Sequence, residues 1–397
     1  MKRNRAILYS LIFLTFILLP QFGIIFKGED EREKFQNRAL QQLPEINIES
    51  LLSASYGKGL NEYIWDHLPL RTNFLQADHW IDYHIFNDSP VLDKVIIGRN
   101  DWLFFYPAVM EWPQRNSQQV EKIIALAQKA TAVQKKTGKE IIIIPSPSKA
   151  SIYPEFLPDY HQNAYRQNVA PFHDRLDMAA PDTKSLLLLW KPFHNEKERL
   201  LKNQQNGTST PDRTRYLFRP RDRHFSWETS LVQTKKIIDR ISPELWKENL
   251  FGRYFTVYQS QRSEMGERFM KISLPEPYLT FLEDTYMEEL SITRIVYPVA
   301  MTNRFQETFS VDKNPFIEPL AKKVVVIHDS FFDQSRFLLA PYFKESIFMH
   351  WLVFKNFPVF MNAIRKADIL ILQSVEDRWQ VRYERLERIL TELEKTV

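Results

Sequence analysis

The stretch VVVIHDSFFD, residues 324–333, decides the fold class of this chain. Four strand-forming apolar residues lead into His328, Asp329 and Ser330, and two phenylalanines follow. A run that is apolar at every position is typical of a strand buried on both faces, as in the parallel sheets of α/β proteins. Open α/β sheets place their sites at strand ends. Ser330 is therefore either a nucleophile or merely the polar end of a strand.

Two other segments predict strands of the same kind. EIIIIPSPSK directly follows an amphipathic helix that ends near Gly138, and KADILILQSVED lies near the end of the chain. We predict strands at 140–145, 324–328 and 368–373 that are neighbours in one mostly parallel sheet flanked by helices. Short aromatic and β-branched runs over about 250–316 predict a small β-rich insertion. The fold class is therefore α/β.

Local signals predict two further features. The segment KVIIGRNDWLFFY has apolar runs on either side of Gly98-Arg99-Asn100-Asp101, which is typical of a hairpin. The segment WETSLVQTKKIIDRI has helical spacing, and Ser226 before it is a suitable N-cap.

Composition argues against several classes of protein. The 397 residues include 53 Lys and Arg and 49 Asp and Glu, which are interspersed, so no nucleic-acid partner is expected. Glycine is scarce and no G-x-G-x-x-G or Walker A pattern occurs, which argues against a dinucleotide or nucleotide cofactor. Cysteine is absent, which excludes a thiol nucleophile. No histidine and carboxylate pattern has metal-ligand spacing, so no metal is expected.

The N-terminus predicts export. Lys2, Arg3 and Arg5 precede an apolar run from Ala6 to about Phe26, long enough to span a bilayer. We interpret residues 1–28 as an uncleaved signal anchor, with a cleaved signal peptide as the alternative. The basic flank keeps the N-terminus in the cytoplasm and the bulk of the chain in the periplasm, at the inner membrane. Residues 29–90 are interpreted as a juxtamembrane linker and helical region, and 91–397 as the catalytic domain.

A base for Ser330 is available in the stretch RPRDRHFSWETS. Asp222 precedes His224 by two residues, just ahead of a predicted helix. In extended chain, residues two apart face the same side, so the carboxylate can hold one imidazole nitrogen while the other faces a nucleophile. Many chains contain a D-x-H pair by chance. Together with an Asp-Ser at a strand end, this pair predicts a Ser-His-Asp site.

Seven blocks of the sequence occur in one order between about residues 33 and 380: QNRALQQLP, WDHLPLRTNF, VIIGRNDWLFF, IIIIPSPSKASIYPEFLP, DRHFSW, VVVIHDSFF and ILILQSVEDRW. In these blocks the chain resembles the alginate O-acetyltransferase group of the SGNH-hydrolase superfamily, in its J and X types. Asp101, Phe225 and His328 stand where that family usually has glycine, tryptophan and glycine.

The resemblance implies an SGNH-like fold and a catalytic triad of Ser330, His224 and Asp222. It implies acetyl transfer to an exported polysaccharide through an acetyl-serine, with no cofactor. It further implies a membrane-bound O-acyltransferase that supplies acetyl groups. Because His328 stands in place of a glycine, its side chain would crowd the tight turn and the backbone donors to an oxyanion. The Ser330 N–H is the one donor that we assign.

Other residues have two possible interpretations. Lys149 and Tyr153 follow a predicted buried strand, where they would either contact a sugar or serve as a loop cation and a packed tyrosine. Glu376 and Arg378, at the end of the last predicted strand, fit a structural ion pair better than substrate contacts. Two alternative functions remain open: an extracytoplasmic carbohydrate esterase that uses the same triad, and a non-catalytic polysaccharide-binding assembly protein.

Overall fold

A computed structural model describes residues 39–46, 53–67, 71–110, 112, 117–180, 183–205, 216–247, 250–260, 263–298 and 305–395, with residues 14 and 48. The predicted signal anchor, apart from residue 14, lies outside these residues and stays a prediction. In the part of the chain that is described, no helix is both long and apolar enough to cross a membrane.

The chain divides into two compact units, residues 1–92 with 262–274 and residues 93–261 with 275–397. In the first unit, helices α1 (Ala54–His67) and α2 (Arg71–Ile81) are followed by one π-helical turn. His79 on α2 has its Nδ1 2.7 Å from the carbonyl oxygen of Met270, which links the 262–274 segment to this helix.

The second unit contains all the strands that are described. They are β1 (Val95–Ile97), β2 (Leu103–Phe105), β3 (Glu140–Ser146), β4 (Phe255–Ser260), β5 (Glu276–Phe281), β6 (Ile292–Pro298), β7 (Phe305–Val311), β8 (Leu320–His328), β9 (Phe343–His350) and β10 (Ile369–Val375). Six of them form the central sheet, in the order β3-β10-β8-β9-β7-β6. The pairs β3–β10, β10–β8 and β8–β9 are parallel. The three predicted strands are thus confirmed as neighbours in one sheet.

The helices of this unit cover both faces of the central sheet. They are α3 (Tyr106–Met110), α4 (Ser117–Thr137), α5 (Lys149–Ile152), α6 (Asp159–Ala164), α7 (Ala170–Ala179), α8 (Trp190–Gln205), α9 (Trp227–Ile241), α10 (Glu283–Glu289), α11 (Ser335–Leu339), α12 (Phe357–Arg365) and α13 (Trp379–Glu394). Successive strand residues enter two different cores: Val324 and Val326 pack with residues of α8, α9 and α11, whereas Val325 and Ile327 pack with residues of α4, α12 and α13. Burial on both faces explains why these strands are apolar at every position.

The 250–316 segment differs from the predicted insertion. It is β-rich, and β4 and β5 form a separate antiparallel pair. However, β6 and β7 extend the central sheet itself, because β7 pairs antiparallel with β9. The residues of a strand do not reveal its pairing partner, so a strand that joins the main sheet cannot be distinguished from an insertion by local pattern alone.

Three local signals predicted the elements around the site. Gly138 has φ +71° directly after α4, the left-handed conformation that ends helices at glycine. Ser226 caps α9 by accepting a hydrogen bond from Thr229 N. β1 and β2 form the predicted hairpin. Asp101 in its turn has φ +63°, which explains why glycine is usual at that position.

Candidate active site

Ser330 begins a short 3₁₀ turn directly after β8. Asp329 caps this turn, because its Oδ1 accepts a hydrogen bond from Phe331 N at 3.0 Å. The other carboxylate oxygen, Oδ2, accepts hydrogen bonds from Val375 N at 2.7 Å and Ser374 Oγ at 3.1 Å. The buried carboxylate of Asp329 therefore fixes the turn that carries Ser330 to the end of the neighbouring strand β10.

The structure brings Ser330, His224 and Asp222 together. His224 Nε2 lies 3.0 Å from Ser330 Oγ, and His224 Nδ1 lies 3.1 Å from Asp222 Oδ1. The same Asp222 oxygen accepts a hydrogen bond from His224 N at 2.9 Å. The side chain of Asp222 is 6% exposed and that of His224 is 24% exposed, so the carboxylate is buried behind the imidazole. This is the geometry of a nucleophile, a base and a group that orients the base.

The charge on Asp222 determines the tautomer of a neutral His224. Burial raises the pKa of the Asp222 carboxyl, but the Arg219 guanidinium and the hydrogen bonds from His224 outweigh burial and hold this pKa well below its usual range. Arg219 donates to Asp222 Oδ2, and its guanidinium lies over the Tyr278 ring at 4.6 Å. An ionised carboxylate can only accept, so the proton of a neutral His224 lies on Nδ1 and Nε2 is an acceptor for Ser330 Oγ–H.

His328 does not disturb the turn, contrary to the expectation from its side chain. It is not among the described residues with positive φ, so its backbone does not require glycine. Its ring is buried against Phe332 and Phe348, and its Nδ1 lies 2.9 Å from Asp329 O. Burial lowers the pKa of His328, so the ring is neutral at neutral pH. The side chain therefore points into the protein and belongs to the packing below the turn.

Lys149 and Tyr153 have partners inside the protein. The Lys149 side chain is 4% exposed, and its Nζ is within hydrogen-bond distance of four backbone carbonyls. Tyr153 is 1% exposed, and its hydroxyl accepts a hydrogen bond from Leu217 N at 3.1 Å. These contacts favour the loop-cation and packed-tyrosine interpretations over sugar contacts.

A cavity of about 200 Å³ lies beside Ser330. Its charged lining consists of three arginines, namely Arg223, Arg378 and Arg382, with Lys149 and the acidic residues Asp329 and Asp377. Burial and neighbouring arginines lower the pKa of Arg382 to about 10, so this guanidinium is still charged at neutral pH. The cavity beside the nucleophile is therefore rich in positive charge.

The arginine lining was not predicted from the sequence. Arg378 was assigned to an ion pair with Glu376, but it lines the cavity, whereas Glu376 is buried with its Oε2 2.9 Å from His173 Nε2. A signal was available, because Arg378 directly precedes α13 and Arg382 lies in its first turn, so that both guanidinium groups belong to one helix end.

Comparison with known proteins identifies one matching family. Residues 95–267 match the model of the family described as SGNH hydrolase-like domain, acetyltransferase AlgX, which confirms the predicted resemblance over this part of the chain. No curated protein matches the chain.

Several solved structures match this chain at low sequence identity. The O-acetyltransferase domain of Pseudomonas putida AlgJ has 14% identity and a TM-score of 0.43, covering 77% of this chain and 99% of that one. Bacillus cereus PatB1 with a sulfonyl adduct has 13% identity and a TM-score of 0.47, covering 72% and 96%. Pseudomonas aeruginosa AlgX has 8% identity and a TM-score of 0.36, covering 75% and 67%.

Proposed function

We propose that this protein is an O-acetyltransferase that acetylates hydroxyl groups of an exported polysaccharide through an acetyl-Ser330 intermediate. The observation that carries the proposal is the hydrogen-bonded series from Asp222 through His224 to Ser330. The match of residues 95–267 to an SGNH hydrolase-like acetyltransferase domain supports acetyl transfer as the reaction class.

The proposed reaction has two steps. In the first, His224 Nε2 takes the proton of Ser330 Oγ as this oxygen attacks the acetyl carbonyl of the donor. The bond from the acetyl carbon to the donor breaks, and the leaving group takes the proton from His224. In the second, His224 takes a proton from a sugar hydroxyl as this oxygen attacks the acetyl carbon of the acetyl-serine. The bond from that carbon to Ser330 Oγ then breaks, and His224 returns the proton to Ser330 Oγ. Asp222 keeps the ring in the required tautomer and stabilises the imidazolium.

Each attack produces an oxyanion that needs hydrogen-bond donors. The backbone N–H of Ser330, at the start of the turn after β8, is the donor that we assign to it. The turn is fixed before the reaction begins, because Asp329 holds it to β10. A fixed donor need not reorganise when negative charge develops on the oxyanion. Such preorganised donors stabilise the transition state effectively.

The arginine lining favours an acceptor that carries anionic groups. Arg223, Arg378 and Arg382 surround the cavity beside Ser330, and arginine binds carboxylates through two parallel hydrogen bonds. We therefore extend the proposal to an acidic polysaccharide. Binding of the polymer here would also exclude water, which transfer requires if a sugar hydroxyl is to outcompete hydrolysis.

The cellular setting is part of the same proposal. Lys2, Arg3 and Arg5 before the apolar run support an anchor in the cytoplasmic membrane, with the bulk of the chain in the periplasm. The acetyl donor there would be a membrane-bound O-acyltransferase. A carbohydrate esterase is the second candidate, since the same three residues would hydrolyse an acetyl ester if water entered in place of the sugar hydroxyl.

The test uses the purified protein, p-nitrophenyl acetate as donor and an oligouronate as acceptor. Mass spectrometry of the oligosaccharide measures transfer, and free acetate measures hydrolysis. Acetylated oligosaccharide that depends on the protein supports the transferase, whereas acetate release without transfer supports the esterase. Absence of both, with no acetyl group on Ser330, would support a non-catalytic binding protein.

A further inference from the structure

The buried ammonium of Lys149 lies within hydrogen-bond distance of four backbone carbonyls beside the site. Its Nζ lies 2.7 Å from Leu103 O, 2.8 Å from Arg219 O, 2.5 Å from Pro220 O and 3.0 Å from Asp222 O. Three of these four carbonyls belong to the 219–224 loop, the segment that carries Asp222 and His224. The fourth belongs to β2, whose Leu103 N in turn donates to Pro220 O at 2.8 Å.

The ammonium of Lys149 supplies donors to carbonyls that converge on one point. Backbone carbonyls that point at one another repel, and buried carbonyls without donors destabilise a protein. An ammonium has three hydrogens and no acceptor, so it can satisfy several of them at once. The rings of Trp102 and Phe104, 4.9 Å and 5.1 Å from Nζ, supply further electrostatic stabilisation. The shape of the 219–224 loop therefore depends on Lys149.

Lys149 also connects this loop to the strand that carries the nucleophile. It follows β3, which pairs with β10, and β10 pairs with β8. Ser330 follows β8 and is held to β10 by Asp329. The base and the nucleophile lie on segments that are far apart in sequence, and Lys149 fixes one of these segments to the sheet that fixes the other.

We propose that Lys149 is a positioning residue, whose ammonium sets the place of Asp222 and His224 relative to Ser330. The inference rests on the proposed function, since it assigns to those three residues the reaction described above. Lys149 does not contact the reacting atoms in this proposal. Lys149 contributes by keeping His224 Nε2 at a distance of 3.0 Å from Ser330 Oγ.

The test compares two lysine substitutions. Lys149→Met keeps the apolar stem and removes the ammonium. Lys197→Met is the matched control. Lys197 is also buried, donates to a backbone carbonyl (Ile152 O, 2.7 Å) and lies over the Tyr153 ring at 4.8 Å. None of the hydrogen bonds described for Lys197 reaches the 219–224 loop. Melting curves of both variants establish that the proteins are folded.

Two readouts are measured on the folded variants. The first is the rate at which p-nitrophenyl acetate acylates Ser330, which depends on the geometry of the three residues but not on the polysaccharide. The second is the far-downfield proton NMR resonance of His224 Nδ1–H, identified by its absence in His224→Ala. This resonance reports the hydrogen bond to Asp222 and requires no catalysis.

We expect Lys149→Met to lose the resonance and to be acylated about 10²-fold more slowly, the effect of a displacement of about 1 Å in a catalytic group. Lys197→Met should keep both properties. A folded Lys149→Met protein with the wild-type resonance and rate would overturn the inference. If Lys149→Met does not fold, Lys149→Gln is judged by the same two outcomes, because its amide is uncharged and one bond too short to reach all four carbonyls. A wild-type protein that is not acylated would refute the proposed function, and the resonance would still decide the role of Lys149.

Discussion

The Nε2 atom of His224 lies 3.0 Å from the Oγ atom of Ser330, although 106 residues separate them in the chain. The two side chains come from different kinds of segment, a loop before α9 and a 3₁₀ turn after β8. Both segments have their own fixed connections, through Lys149 for the loop and Asp329 for the turn. The base and the nucleophile are therefore in hydrogen-bond contact before any substrate binds.

Asp222→Asn should reduce acylation of Ser330 by up to about 10⁴-fold, because an amide cannot hold His224 in the required tautomer or stabilise its charge. The loss should be smaller than, or similar to, that of His224→Ala. Stopped-flow measurement of p-nitrophenolate release gives the rate. Asp159→Asn, at an exposed surface aspartate, is the control. Wild-type rates in Asp222→Asn would show that this carboxylate does not orient the base.

Arg378→Ala and Arg382→Ala should each raise the KM for an oligouronate acceptor by about tenfold or more, since a hydrogen bond to a charged group contributes about 1.5–3 kcal/mol. Acylation by the uncharged p-nitrophenyl acetate should change little. Arg385→Ala is the matched control, because Arg385 is on α13, as Arg382 is, but is not among the residues that line the cavity. An equal effect on a neutral oligosaccharide would contradict an acidic substrate.

Asp329→Asn should lower the free energy of unfolding by about 1–3 kcal/mol, because the amide group cannot accept from both Phe331 N and the donors on β10. Acylation of Ser330 should slow in the folded protein as the turn loses its anchor. Chemical denaturation measures the stability. The control is Asp333→Asn, at a side chain that is 48% exposed. Equal stability of the two variants would argue against the anchoring role of Asp329.

The free energy of unfolding should fall as the pH is lowered from about 6.5 towards 4, and His194 should account for part of this change. Burial, with Lys197 and His173 nearby, lowers the pKa of His194 from 6.5 to about 4. Over this interval the unfolded state binds a proton at His194 that the folded state does not, so acid favours unfolding. His194→Gln should show a shallower decrease in Tm with falling pH. An identical pH dependence in the variant and the wild type would refute this assignment.

The sheet and the three central residues could be predicted because each leaves a local pattern. Strands buried on both faces are continuously apolar. The Asp-x-His spacing predicted that Asp222 and His224 lie together, although residues 220–221 form a turn and 223–224 a bend in place of the extended segment that was expected. The hydrogen-bond partners of Lys149 could not be predicted. One of them, Arg219, lies 70 residues further along the chain. Lys149 contacts its backbone carbonyl, which a residue of any type would offer. The pairing of β7 with β9 is hidden for the same reason, since backbone groups make it.

Mass spectrometry of the protein after exposure to p-nitrophenyl acetate tests the central claim most directly. If Ser330 is the nucleophile, the wild-type protein should gain one acetyl group, and peptide fragmentation should place it on Ser330. Folded Ser330→Ala should gain none at this site and should lose nearly all transfer to the oligosaccharide, with a melting curve close to that of the wild type. A folded Ser330→Ala protein that retains full acetyl transfer would show that the nucleophile is another residue.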